Sequence, residues 1–162
     1  MAMFMSTISA KIDAKGRVSV PSLFRAVVTA QSPDLQGPHG IFVYPSFTVN
    51  AVEGGGRALM ENINTMVERL DLFTEERDAL AASLFGDSHQ LTFDADGRVT
   101  LPEALLVHAQ IIDKMCFVGL GEKFQIWEPE RFAAYRADAR QKAMENRTLL
   151  RSINAPSSQG GV

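Results

Sequence analysis

The sequence predicts an α+β fold in which one short unit is written twice, with helices between and after the two copies. Three observations predict it. DAKGRVSVP at 13–21 recurs as DADGRVTLP at 94–102, an offset of 81 with six of nine positions identical. A repeat of this kind sets the architecture before any element is assigned. Stretches of apolar/polar alternation surround both copies, and three other stretches carry apolar residues at helical spacing.

The elements follow in chain order. Ile8, Ala10 and Ile12 before the first block, and Leu91 and Phe93 before the second, alternate as a half-buried strand does. Asp-Ala-Lys-Gly and Asp-Ala-Asp-Gly then supply a turn, with Gly16 and Gly97 able to take positive φ. Val18–Val20 and Val99–Leu101 resume the strand period. Pro21 and Pro102 suit a first helical position, where the missing N–H costs nothing, and Glu103 favours the helix dipole. SLFRAVVTA and EALLVHAQI continue as helices. A weaker repeat aligns IFVYPSFTVNAVE (41–53) with CFVGLGEKFQIWE (116–128) at an offset of 75, matching Phe42/Phe117, Val43/Val118 and Glu53/Glu128. On that alignment the connector QSPDLQGPHG gives the first copy six extra residues.

Gly54-Gly55-Gly56 reads as a hairpin-to-helix connector. Leu59, Ile63, Met66, Val67 and Leu70 mark one face of a helix over 57–70. Leu80, Leu84 and Phe85 mark another over 74–85, ended by Gly86. Pro129 opens a third over 129–151, with Phe132, Tyr135, Ala139 and Ala143 along its stripe. The expected organisation is a first repeat at 4–53, a helical insert at 54–86, a second repeat at 87–128, a helix at 129–151 and a disordered tail at 152–162.

With 162 residues, 46% hydrophobic and 22% charged, the chain suits one domain with its own core. No apolar run reaches the roughly 18 residues of a membrane span, and MAMFMSTIS lacks the pattern of a secretory signal. The expectation is a cytoplasmic protein without a membrane partner. Cys116 is the single cysteine, which excludes a disulfide framework and a multi-cysteine zinc site.

A net charge of −3 excludes a uniformly basic coat. Locally, 11–25 holds Lys11, Lys15, Arg17 and Arg25 against Asp13 alone, and 131–151 holds six cations against two acids. Residues 53–78 hold seven acids against three arginines. Two readings follow: a basic face gathered for nucleic acid, or helices with ordinary mixed-charge solvent faces.

In each block an aspartate and an arginine lie four residues apart across the glycine turn: Asp13 and Arg17, Asp94 and Arg98. A carboxylate so placed can hold the guanidinium fork in one direction, suited to phosphate or to guanine O6/N7. The alternative is that the pair merely closes the turn. Lys15 adds a second cation to the first tip, whereas Asp96 replaces it in the second and weakens that tip.

Other candidates are negative. His39, His89 and His108 lack zinc-ligand spacing, and no strand–loop–Lys-Ser/Thr phosphate motif follows the triglycine. Cys116 reads as a small hydrophobe in a buried strand, and Trp127 as core or interface, with base stacking as the minor alternative. No nucleophile–base pair or convergent acid pair is visible, so no catalytic residue, metal or cofactor is expected.

The blocks DAKGRVSVP and DADGRVTLP, with the opening MSTISAKIDAKGRVSVPSLFR and the later FQIWEPERF, resemble the MraZ family of bacterial transcriptional regulators in the AbrB/SpoVT-like superfamily. The likeness spans about residues 4–150. It implies a pseudo-symmetric barrel of swapped hairpins assembled as a homo-oligomeric ring. It further implies nucleoid-associated repression of the division and cell-wall gene cluster, through Asp-x-x-x-Arg hairpins on repeated promoter elements of double-stranded DNA. Carried over, Lys15, Arg17 and Arg98 contact DNA, while Asp13, Gly16, Asp94 and Gly97 shape the turns; no small-molecule substrate is implied. An interaction or antitoxin module on the same barrel, without its own promoter target, is the alternative. An enzyme is the weakest reading.

Overall fold

The computed structural model describes residues 2–151, so the tail expected at 152–162 lies outside the described residues. The chain divides into two compact units, Met1–Pro129 and Glu130–Val162.

The first unit is an α+β body. Its strands are β1 (Thr7–Lys11), β2 (Arg17–Ser19), β3 (Gly40–Pro45), β4 (Val52–Gly55), β5 (His89–Thr92), β6 (Arg98–Thr100), β7 (Lys114–Gly119) and β8 (Phe124–Trp127). Its helices are α1 (Ser22–Ala30), α2 (Arg57–Glu68), α3 (Glu75–Ala81) and α4 (Glu103–Ala109). Six strands form a sheet in the order β1-β7-β8-β4-β3-β5, and β2 and β6 form a separate two-stranded ribbon.

The pairing crosses between the copies. β1 of the first repeat runs antiparallel to β7 of the second, and β5 of the second runs antiparallel to β3 of the first. Ala10 faces Met115, and Leu91 faces Ile41, so Ile41 and Met115 are counterparts at an offset of 74. The sequence alignment at 75 is thus one residue out. Because side chains alternate with period two, that slip turns each residue to the other face. Ile41 and Val43 enter the core with Met115 and Phe117, and Phe42 does not. Within the hairpins Tyr44 stands opposite Glu53 and Val118 opposite Gln125, which makes Gln125, not Glu128, the counterpart of Glu53; the two stand opposite each other where β4 meets β8.

The core joins Val18, Val20, Phe24 and Val28 to their counterparts Val99, Leu101, Leu105 and Ala109, closed by Phe4, Phe117 and Phe124. Phe4 meets Phe24 and Phe124 edge-on, with ring centroids 5.3 and 5.1 Å apart. Such pairs add about 0.5–1.5 kcal/mol beyond area burial.

Three expectations change here. Pro21 and Pro102 are the residues before α1 and α4, at ψ 138° and 140°, rather than their first helical residues. Extended ψ lets the strand leave the ribbon before the helix starts. The triglycine is no loop: Gly54 and Gly55 lie inside β4, and Gly56 precedes α2. A Cβ on Gly54 would stand 2.6 Å from the Phe42 carbonyl oxygen and 2.8 Å from Phe124 Cζ, so close packing requires the glycine. In the insert, α2 buries Leu59, Ile63 and Val67 but leaves Met66 exposed. The second helical stretch is α3 followed by a π-helical turn, Ala82–Gly86.

The second unit carries α5, whose span is Pro129–Glu145, and a 3-10 turn, Arg147–Leu149. Of the expected stripe Phe132 is buried, Ala139 half-buried, and Tyr135 and Ala143 exposed. The Arg136 guanidinium lies 5.5 Å from the Phe132 ring centroid, a cation–π contact.

Candidate nucleic-acid interface

Both turns are built alike. Gly16 and Gly97 stand at φ +79° and +76°, the left-handed conformation that glycine adopts without steric cost. The N–H groups of Lys15 and Arg17 donate to Asp13 Oδ1 at 2.9 and 2.8 Å, and Arg17 Nε donates to Asp13 Oδ2 at 2.8 Å. In the second copy the N–H groups of Asp96 and Arg98 donate to Asp94 Oδ1, and Arg98 Nε to Asp94 Oδ2, all at 2.9 Å. Each aspartate uses one oxygen to close the turn and the other to hold the arginine side chain.

Donors converging on a carboxylate favour its ionised form. The Arg17 N–H is the largest cause holding Asp13 below the ordinary carboxylate range, aided by the Arg17 guanidinium and the Lys15 N–H against some desolvation. The Arg98 N–H does the same for Asp94.

The flanking strands do not pair with each other. Asp13 N–H donates to the Arg17 carbonyl at 2.8 Å, and beyond that bond β1 joins the six-stranded sheet while β2 joins the ribbon. The separation follows from the half-buried Ile8 and Ala10, which pack on the core from the β7 edge.

The ribbon brings the two tips together, which the sequence did not foretell. Arg17 faces Thr100, Val18 faces Val99, and Ser19 faces Arg98, so the register is symmetric about the valines. Arg98 Nη1 lies 3.9 Å from Asp13 Oδ2, across the copies. Arg98 also binds Asp96 Oδ2 through Nη2 at 3.1 Å. Three carboxylates therefore surround Arg98, whereas Arg17 pairs with Asp13. Lys15 is exposed beside Arg17.

Arg25 is the residue that sequence reasoning missed. From α1 its Nε donates to the Val20 carbonyl at 3.1 Å, and its guanidinium lies over Gly97, where a Cβ would stand 2.6 Å from Nη1. The first tip's helix thus places a cation against the second tip. Its counterpart in the repeat is Leu106. The four-cation count over 11–25 included Arg25, but only the β2–β6 pairing reveals what it touches.

The remaining candidates fall elsewhere. Cys116 is buried in β7. Trp127 is buried and donates Nε1–H to Gln125 Oε1 at 2.8 Å, leaving no face for base stacking. Among the described residues no three His, Cys, Asp or Glu side chains are grouped to hold a metal, and no helix is long and apolar enough to cross a membrane. One further buried polar group escaped the sequence. Glu53 accepts from Tyr44 Oη at 3.1 Å, Lys123 Nζ at 3.1 Å and Gln125 Nε2 at 2.9 Å, which satisfies a carboxylate that burial would otherwise penalise. Burial, and then the Glu53 charge, push the Tyr44 phenol up.

Comparison with known proteins adds the context. Residues 84–152 match the family model described as "MraZ protein, putative antitoxin-like". The chain is similar to the protein named Transcriptional regulator MraZ in Azorhizobium caulinodans, 43% identical over 99% of this chain and 98% of the relative. The protein of that name in Parvibaculum lavamentivorans is 46% identical over 99% of both chains. That in Rickettsia bellii is 44% identical over 95% of this chain and the whole of the relative.

Proposed function

The chain belongs to the MraZ family, and from that premise we propose that it is a sequence-specific DNA-binding transcriptional regulator rather than an enzyme. The observation that carries this reading is the β2–β6 ribbon, which sets Arg17 and Arg98 diagonally across its two strands, each held by its own aspartate and both within reach of Asp13. A two-stranded ribbon is one of the elements a major groove admits, and arginine forks suit guanine edges and phosphates there. Arg17 and Lys15 make the principal contacts, Arg98 and Arg25 secondary ones, and Asp13 and Asp94 position the arginines.

One acidic subunit offers few phosphate contacts. Several subunits in a ring, engaging promoter elements repeated at matching spacing, gain affinity through effective concentration. The regulator acts in the cytoplasm on the nucleoid, repressing the division and cell-wall gene cluster without a cofactor. The sheet and ribbon together are read as the swapped-hairpin barrel of the AbrB/SpoVT-like superfamily, supported by the exchange of β1 and β5 between repeats.

The test is fluorescence anisotropy on the duplex upstream of the protein's own gene, beside a scrambled duplex, for wild type and Arg17→Ala. Specific binding lost in a folded, still assembled Arg17→Ala protein is the expected result. Retained specific binding would remove Arg17 from the interface, and equal weak binding to both duplexes would reduce the function to general DNA association. No binding by folded wild type would favour the interaction module.

A further inference from the structure

We infer that the cavity enclosed by α2, the turn between β3 and β4 and the turn between β7 and β8 is a binding site for a small organic cation, a primary ammonium on a compact apolar body. The site shares no residue with the β2–β6 ribbon, so it goes beyond the DNA reading and is tested apart from it.

The cavity has a volume of about 330 Å³, within the roughly 300–1,000 Å³ typical of small-molecule sites. Leu59, Ile63 and Met66 of α2 and Leu84 of the π-helical turn give it an apolar wall. Phe47, after β3, and Leu120, after β7, add exposed apolar surface. Two hydroxyls also line it, but they are taken up locally. Ser46 Oγ bonds to Thr48 Oγ1 at 3.1 Å and accepts from the N–H groups of Thr48 and Val49, both at 3.2 Å. The remaining polar lining is Tyr44 and three charged residues, Glu53, Glu122 and Lys123.

Two carboxylates therefore stand against one ammonium. Glu53 is buried, and its Oε2 already accepts from Lys123 Nζ at 3.1 Å and Gln125 Nε2 at 2.9 Å. Its Oε1 accepts from Tyr44 Oη alone among the described residues, and an ionised carboxylate oxygen has room for a second donor. Glu122, held by Asn62 Nδ2, brings a second negative charge. The Tyr44 phenol reports the resulting field: after burial, the charge and hydrogen bond of Glu53 and then the charge of Glu122 push it up. It stays a neutral donor, and the cavity stays negative in spite of Lys123. A tie between hairpins alone would be served as well by apolar side chains, since a buried ion pair gives little net stability. The counterparts of Tyr44 and Glu53 in the second repeat are indeed the uncharged Val118 and Gln125. An anion would meet two carboxylates and find the one ammonium engaged. An ammonium on an apolar body suits both parts of the cavity, with a charge-assisted bond to Glu53 Oε1, attraction to Glu122 and burial against α2.

The test titrates the full chain with three compounds of matched body and different head group: phenethylamine, phenethyl alcohol and phenylacetate. Binding is followed by calorimetry and by the NMR signals of isotopically labelled methionine methyl groups. The Met66 methyl signal should shift saturably with the amine, while that of Met115, buried in the main core, stays in place. Affinity should fall in the order amine, alcohol, carboxylate. Glu53→Gln, which keeps the shape and removes the charge, should weaken the amine about tenfold and leave the alcohol unchanged. Glu122→Gln, an exposed change, should weaken the amine about threefold; should Glu53→Gln fail to fold, this variant decides alone. No saturable Met66 shift at millimolar amine would overturn the site. So would an alcohol or carboxylate that binds as tightly as the amine, or amine affinity unchanged by removing these charges. The DNA titrations of wild type bear on the earlier reading alone.

Discussion

Changing Asp96 to lysine gives the second tip the sequence of the first, DAKGR, and tests whether the tips differ in DNA contact for the reason the geometry gives. Arg98 now faces three carboxylates, Asp94 at 2.9 Å, Asp96 at 3.1 Å and Asp13 at 3.9 Å. The substitution removes the Asp96 partner and puts a cation in its place, leaving Arg98 with the Asp94 support that aims it. Asp96 is 74% exposed in its side chain, so the lost ion pair costs stability only about 0.2–1 kcal/mol. On DNA the effect is larger. One additional phosphate contact steepens the plot of log K against log salt by about 0.9. A new charge-assisted hydrogen bond of about 1.5 kcal/mol corresponds to roughly tenfold in affinity. If several subunits engage one duplex, both changes multiply. The assay is anisotropy on the native duplex between about 50 and 200 mM salt, with Asp96→Asn as the charge-neutral step between the two. Affinity and slope should rise in the order wild type, Asn, Lys. An unchanged slope with lysine, joined by an unchanged affinity for Arg98→Ala, would refute a role for the second tip.

Two further outcomes follow from the geometry. Gly54→Ala drives a methyl group against the Phe42 carbonyl and the Phe124 ring inside β4, an overpacking that should cost about 1–3 kcal/mol in urea denaturation; a change below about 0.5 kcal/mol would show that strand β3 yields. The turn should also respond to acid. The Asp13 carboxyl is held low in the folded protein, so its stabilisation is complete above the unfolded value of about 3.9 and is lost as pH falls through the lower folded value. The amide resonances of Lys15 and Arg17 should titrate with a midpoint below the ordinary aspartate range and stop titrating in Asp13→Asn; a midpoint at or above 3.9 would contradict the bonding seen.

What the sequence disclosed was what repeats and what turns. Asp13, Gly16 and Arg17 could be placed because a tight turn needs its residues in fixed order, and the second copy repeats that order. Ile8, Ala10 and Leu91 gave their strands away by period. The alignment of the hairpins failed by one residue because Phe42/Phe117 identity carried more weight than facing, and facing depends on β1 and β5, which lie far away in the chain. Gly54 looked like part of a connector because nothing local records the Phe42 carbonyl and the Phe124 ring packed against it. The α5 stripe misled for the opposite reason: Tyr135 and Ala143 have helical spacing, yet of the four residues only Phe132 is buried. Arg25 was invisible as a neighbour of Gly97, since that proximity exists only after two distant strands pair.

The exchange of strands between repeats has a consequence at the ribosome. β1 leaves the exit tunnel first, yet its ladder partner is Lys114–Val118, about a hundred residues later. At roughly 5–20 residues per second that partner follows only after about 5–20 s. During this interval Thr7–Lys11 is a strand with both edges open and with Ile8 and Ala10 uncovered, the kind of segment that recruits wrong partners. Loop-closure entropy also makes a ladder of such separation slow to form once both halves exist. The nascent first repeat is therefore the stage of synthesis most in need of a chaperone. A chain cut short before residue 114 cannot finish folding, because it lacks the strand on which its own N-terminus must lie.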